Sequence, residues 1–297
     1  MSTDASSLGE LYPFASHFLD VGGHRLHYVD EGEGDAVLMV HGNPTWSFYF
    51  RELIKALRGH HRVIASDHIG CGLSDKPLHY PYTLATHIEN LEKLVDHLGL
   101  SRVSLVVHDW GGAIGFGWAT RHPALFRRIV VLNTAAFLGF PIPWRIRVCG
   151  WPVIGEVLVR GFNGFAKPAI TMACRKKEGM PPEVRKGYLL PYDSYANRIA
   201  LLRFVRDIPQ SRGDPSFDVL KSIEAGLTHI ADRPMLICWG GRDFCFNDAF
   251  LQEWTRRFPG ADVHRFADAG HYVLEDAGER IIPLVRRFLA QSDSAES

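Results

Sequence analysis

The sequence predicts an α/β protein: a mostly parallel, doubly wound sheet with a helical cap inserted between two of its strands. Three observations carry this. Val, Ile and Leu fill short runs almost without a polar break, as expected for parallel strands covered on both faces. Those runs alternate with amphipathic helical stretches, the rhythm of strand–helix–strand units. The alternation stops after Thr134 and resumes near Pro234, with a helical stretch rich in aromatics, Arg and Pro between.

In chain order, His24 to Asp30 and Ala36 to His41 read as strands, Ser47 to Leu57 as a helix and Arg62 to Ser66 as a strand. Thr83 to Leu98 has the spacing of an amphipathic helix. Val103 to His108 (strand), Gly111 to Arg121 (helix) and Arg128 to Leu132 (strand) follow. After the interruption come a strand at Pro234 to Trp239, a helix at Asp248 to Phe258, a strand at Val263 to Phe266 and a helix at Gly278 to Ala290. The expected division is therefore a core of residues 1–136 and 229–297, with a helical cap of residues 137–228. Such a cap would cover the carboxyl ends of the strands, where open α/β sheets bind ligands. Ser292 to Ser297 reads as a polar tail.

A chain of 297 residues can bury one large core plus an inserted subdomain. Lys plus Arg and Asp plus Glu number 33 each, so the formal charge is zero and no nucleic-acid partner is expected. Met1 to Glu10 lacks the pattern of a secretory signal, and no apolar run approaches the roughly 18 residues of a transmembrane segment. The five cysteines (Cys71, Cys149, Cys174, Cys238, Cys245) are odd in number and scattered. They read as reduced thiols of a cytoplasmic protein, with neither a disulfide framework nor a zinc site. No ligand cluster calls for a metal or an organic cofactor.

The most informative stretch is Leu105-Val106-Val107-His108-Asp109-Trp110-Gly111-Gly112. A strand runs into Asp109 and two glycines open a helix, the pattern of a strained turn that lifts one side chain above a sheet. A carboxylate there can attack a saturated carbon and displace a leaving group, forming an ester. The positive end of the following helix favours its ionised form. The competing explanation is that Asp109 merely caps that helix.

An ester of Asp109 that is to be hydrolysed needs a base for water. His271, on the loop after the last strand, follows the chain order nucleophile, acid, histidine. Its orienting anion could follow the strand ending near Leu132 or the one ending near Trp239. The first place offers Asn133 and Thr134, which are uncharged; the second offers Asp243. Asp268 and Asp276 flank His271 and read as residues of turns or of a helix start. The loop His41-Gly42-Asn43-Pro44 lies where an oxyanion hole is built, so the backbone N–H groups of Asn43 and Trp110 are candidates. Their side chains, an amide and an indole, can donate to a departing anion such as a halide ion.

With HGNPTWSFYFR (41–51), DHIGCGLSDKP (67–77), VVHDWGG (106–112), GGRD (240–243) and AGH (269–271), the chain resembles the haloalkane dehalogenases of the α/β-hydrolase fold over nearly its whole length. Tyr188 to Tyr192 and Arg206 to Pro209 resemble that family's cap. The resemblance implies Asp109 as nucleophile, His271 as base, Asp243 as acid, and Asn43 with Trp110 as halide donors. It implies displacement of halide from a small apolar halogenated alkane, then hydrolysis of the alkyl-enzyme ester by water. The acid after the later strand, with Asn at position 43, resembles the third subfamily. That subfamily is similar to the β-lactone decarboxylases of bacterial olefin biosynthesis, in which the same residues would open a cis-β-lactone and release a cis-alkene.

Two further classes compete. An epoxide hydrolase would need lid tyrosines, for which Tyr188, Tyr192 and Tyr195 are candidates. A hydrolase-fold binding protein without chemistry would not need Asp109, Asp243 and His271 together at three strand ends. The Arg-rich, apolar cap surface would also suit a homo-oligomer.

Overall fold

The computed structural model describes residues 5–291; the tail Ser292 to Ser297 lies outside them. The chain begins with β1 (His17–Asp20), β2 (Arg25–Glu31) and β3 (Ala36–Val40), then α1 (Arg51–Leu57), β4 (Arg62–Ser66) and α2 (Leu84–His97). β5 (Val103–Asp109) runs directly into α3 (Trp110–Ala119), followed by β6 (Phe126–Thr134). Helices α4 (Trp144–Cys149), α5 (Ala166–Met172), α6 (Pro182–Leu189), α7 (Ile199–Arg206) and α8 (Phe217–Gly226) separate β6 from β7 (Met235–Gly240). The chain closes with α9 (Asp248–Arg257), β8 (Asp262–Phe266) and α10 (Val273–Leu289).

The eight strands form one sheet in the order β1-β2-β4-β3-β5-β6-β7-β8. β1 pairs with β2 and β2 with β4 antiparallel; every later pairing is parallel. Because side chains alternate between faces, each central strand feeds two cores. Leu38, Val40, Leu105, Val107, Ile129 and Val131 pack with α2, α3 and α9. Val37, Met39, Val106, Val130 and Leu132 pack with α1 and α10. All of these side chains are buried, which accounts for the unbroken apolar runs in the sequence.

Local chemistry sets several element ends. Thr83 caps α2, its side chain accepting from Thr86 N–H, and Asn247 caps α9 by accepting from Ala249 N–H. Ser47 to Leu57 is not one helix: Ser47–Phe50 forms a tight 3₁₀ turn before α1. Asp67 dictates that turn. Its buried carboxylate accepts from Ser47 N–H (2.7 Å), Leu73 N–H (2.8 Å) and the His27 ring (2.8 Å). The last helix starts earlier than Gly278, with a first turn from Val273 and a break at Ala277. Asp276 in that turn accepts from the backbone N–H groups of Gly270, Arg175 and Lys176. β1 is an additional strand that the pattern of apolar residues did not announce; it is four residues long and half exposed.

The helices between β6 and β7 have a small core of their own, built from Cys149, Val159, Ala166, Tyr192, Leu201, Leu202 and Val205. α8 packs instead on α2 and α3, with Ile223 in the core beneath them. Among the described residues no helix is long and apolar enough to cross a membrane. All five cysteines are free thiols.

Candidate active site

Asp109 ends β5 at φ 53° and ψ −127°, a conformation non-glycine residues rarely adopt. The strand-to-helix junction imposes it, and neighbouring glycines make the room. A Cβ on Gly42 would lie 2.0 Å from Asp109 Oδ1, and one on Gly111 would lie 1.9 Å from the Val40 carbonyl oxygen. Asp109 stands at the N-cap of α3, but its side chain makes no capping hydrogen bond. The capping explanation therefore fails, and the carboxylate instead lines a cavity.

Two backbone donors and one ring meet this carboxylate. Asn43 N–H donates to Oδ1 at 2.6 Å, and Trp110 N–H also acts on it. His271 Nε2 stands 3.5 Å from Oδ2. Burial would raise the pKa of Asp109, but His271 and these donors outweigh it and hold the carboxyl below its ordinary value. The Thr134 hydroxyl fixes the turn from below by donating to the Asp109 carbonyl.

His271 Nδ1 donates to Asp243 Oδ2 at 2.8 Å. Asp243 is wholly enclosed at its side chain, and its other oxygen accepts from Cys245 N–H at 2.6 Å. Burial presses His271 down, yet the charges of Asp243 and Asp109 raise it to about 10. At neutral pH the site thus holds an imidazolium between two carboxylates. His108, buried beneath it, is pressed down to about 3 by burial and by the charge of His271. As a neutral ring it donates from Nε2 to the His271 carbonyl (2.9 Å), which fixes the histidine loop.

The cavity above Asp109 measures about 440 Å³ and is lined by Asn43, Trp110 and His271 among a majority of apolar groups. These include Phe137, Phe140, Ile142, Trp144, Ile146, Leu158, Phe165, Met172, Phe244 and Phe246. Helices and loops between β6 and β7 provide most of that lining. The Asn43 side chain reaches into the segment as well: Nδ2 donates to the Leu201 carbonyl at 3.1 Å, and Oδ1 is buried without a partner. Trp110 is half-buried and packs edge-on against Phe204.

The structure brings Asp109, Asp243, His271, Asn43 and Trp110 to one place. The candidate lid tyrosines are elsewhere: none of them lines this cavity. Tyr188 OH donates to Glu275 (2.5 Å), Tyr192 OH to the Thr45 carbonyl (3.2 Å) and Tyr195 OH to Glu156 (3.2 Å). Asp268 is also elsewhere, paired with Arg280 at the surface.

Sequence reasoning missed one participant. Asn133, set aside there for its lack of charge, donates from Nδ2 to Asp243 Oδ2 at 2.9 Å. The same carboxamide straddles β7, donating to the Gly240 carbonyl and accepting from Gly240 N–H. Its place at the end of β6, where an orienting acid could also stand, was the available signal. Among the described residues no cluster of His, Cys, Asp and Glu could hold a metal ion.

Comparison with known proteins places this geometry in a family. Residues 35–152 match the alpha/beta hydrolase fold family. The chain is 47% identical to the cis-3-alkyl-4-alkyloxetan-2-one decarboxylase of Shewanella oneidensis, covering 97% of this chain and 92% of that protein. It is 31% identical to haloalkane dehalogenase 2 of Mycobacterium tuberculosis, covering 97% of this chain and all (100%) of that one. A crystal structure of a haloalkane dehalogenase from Agrobacterium tumefaciens superposes with a TM-score of 0.84 at 26% identity, covering 96% of this chain and 99% of that one. The chain belongs to the family of α/β-hydrolase-fold enzymes that holds the haloalkane dehalogenases and the cis-3-alkyl-4-alkyloxetan-2-one decarboxylases.

Proposed function

We propose that this protein decarboxylates cis-3-alkyl-4-alkyloxetan-2-ones to cis-alkenes, with Asp109 as the nucleophile. The observation that carries the reading is the disposition of the Asp109 carboxylate. Oδ1 is held by Asn43 N–H, and Oδ2 is left facing the His271 imidazolium at the polar end of an apolar cavity. Likeness to decarboxylases at 47% and 43% identity, against 31% for the dehalogenase above, supports the lactone over the alkyl halide. An apolar cavity of this size suits a substrate with alkyl arms.

In the first step Oδ2 bonds to the ring carbon that carries the ring oxygen, and the bond to that oxygen breaks. The product is an alkyl ester of Asp109 bearing a carboxylate on the adjacent carbon. In the second step the bond to that carboxylate supplies the electrons of the double bond, carbon dioxide leaves, and the Asp109 carboxylate departs. Attack from behind inverts one carbon and sets ester and carboxylate opposite each other, so anti elimination keeps the two alkyl arms cis. No proton and no water is consumed. The imidazolium assists the second step, because the departing carboxylate regains its charge beside it. Asp243 keeps that imidazolium in place. Helices α4 to α7 and the loops between them act as the lid that shuts out water, and no metal or organic cofactor takes part.

Halide displacement is the second reading, favoured by Asn43 and Trp110 beside the nucleophile. Esterification of Asp109 removes one of the two charges that raise His271. A neutral imidazole could then activate water, oriented by Asp243. Purified protein offered cis-β-lactones and 1-bromoalkanes side by side tests the choice. The decarboxylase reading expects cis-alkene from the lactone, without heavy oxygen entering Asp109 when the solvent is labelled. Bromide release with label in the Asp109 carboxylate, and no alkene, would reverse the order of the two readings.

A further inference from the structure

Trp144, Trp151, Val153, Ile154, Val157 and Phe162 are all exposed, three of them by more than two-thirds: 70% for Trp144, 73% for Val153 and 72% for Phe162. So many large apolar side chains in nineteen consecutive residues are unusual for a surface that meets only water. They share a side of the molecule. Both α4 and the wide helical turn Glu156–Gly161 pack on α7 through Cys149 and Val159, which leaves their opposite faces outward. Arg206 ties the two together, donating to the Gly150 carbonyl (3.2 Å) and to Glu156 (3.0 Å). At the tip between them Val153 has φ 62°, a conformation costly for a β-branched residue. Its side chain, exposed as it is, gains nothing inside the chain for that cost.

The charge around this patch has one sign. From Trp144 to Lys167 there are four basic residues (Arg145, Arg147, Arg160 and Lys167) and one acid, Glu156. The Glu156 carboxylate is held by Arg160 and Arg206, whereas Arg145, Arg147 and Lys167 are exposed. The cavity opens here too, since Trp144, Arg145 and Pro168 both line it and reach the surface.

We propose that this face docks on the surface of an anionic lipid bilayer. The tryptophans and the aliphatic tip would enter the headgroup boundary, and the basic residues would pair with lipid phosphate. The mouth of the cavity would then open on the phase in which long-chain apolar molecules dissolve. Docking does not depend on the reaction proposed above, and its test involves no turnover.

The test is co-flotation of the purified protein with vesicles of equimolar phosphatidylglycerol and phosphatidylcholine, compared with phosphatidylcholine alone. The protein should float with the anionic vesicles, less with the neutral ones, and less as salt rises. A triple variant, Trp151→Ser with Val153→Ser and Ile154→Ser, should bind at least about tenfold more weakly. Arg147→Glu with Lys167→Glu should weaken binding to anionic vesicles by about tenfold or more. Both variants should keep the circular dichroism spectrum and Tm of the parent, because none of these side chains is buried. Failure to float with anionic vesicles, or equal flotation of parent and triple variant, overturns the proposal. So does a dimer in sedimentation that the triple variant dissociates while neither form binds vesicles.

Discussion

Asn133 and Asp243 are joined by a 2.9 Å hydrogen bond, and the accepting oxygen, Oδ2, is the one that also accepts the hydrogen bond of His271 Nδ1–H. An uncharged residue on one strand end thus supports the charge on the next. Removing it leaves a buried carboxylate short of a donor and Gly240 short of two bonds. Asn133→Ala should lower kcat by roughly tenfold or more, as loss of a supporting partner commonly does. It should also shift the pH profile of the reaction, which loss of stability alone would not do. Steady-state rates across pH give both readouts.

Protonation of His271 links stability to pH. Its folded value is raised to about 10 by Asp243 and Asp109, so the folded state holds the proton more tightly than the unfolded chain. The stabilisation is therefore complete below about 6.5, the ordinary histidine value, and gone once pH has passed about 10. Asp109 acts at the other end: with its folded value lowered, its contribution is lost as pH falls below the ordinary carboxylate range. The Tm difference between the parent and His271→Gln should be largest near pH 6 and close towards pH 10. A difference that widened with alkalinity would contradict the charge assignment.

Gly42 has no space for a side chain, because a Cβ would meet Asp109 Oδ1 at 2.0 Å. Gly42→Ala must move either the carboxylate or the loop whose Asn43 N–H holds it. A displacement near 1 Å is expected to cost at least about a hundredfold in turnover. Gly278→Ala is the matching control, since its new methyl group meets nothing within 4 Å. It should leave the rate unchanged and stabilise α10 by up to about 1 kcal/mol, read from urea unfolding.

Arg51 binds Glu275 through Nη1 and Nη2 of its guanidinium (2.5 and 2.9 Å), and Tyr188 OH donates to the same carboxylate. This buried pair joins α1 to the turn that follows His271. Arg51→Met would strand the carboxylate and should cost about 3–5 kcal/mol in urea unfolding. Arg51→Met with Glu275→Gln should recover most of that loss.

The sequence discloses much of this molecule because its strands are buried on both sides. Strands such as Ala36–Val40 and Val103–Asp109 leave no polar alternation to misread. The elbow is legible for a different reason: Asp109 between a strand and paired glycines has few structural uses. What stayed hidden depends on contacts distant in sequence. Asn133 meets its carboxylate across 110 positions, and Arg51 meets Glu275 across 224. Neither residue type has a pattern that announces such a partner. The lid tyrosines stayed ambiguous because a phenol in a helical segment looks the same whether it faces a cavity or, like Tyr192, a backbone carbonyl. β1 escaped notice because half of its side chains are in water and its apolar signal is correspondingly thin.

The apolar walls of the cavity have a consequence for reaction outcome. A chamber that holds solvent poorly puts every bimolecular exit at a disadvantage and leaves unimolecular ones untouched. An adduct carrying its own electron source on the neighbouring carbon can collapse at once; one without it must wait for a solvent molecule to arrive. The substrate, rather than any side chain, would then choose the branch. A few polar substitutions along those walls would make the scaffold a natural place to study how one covalent adduct is steered between elimination and hydrolysis.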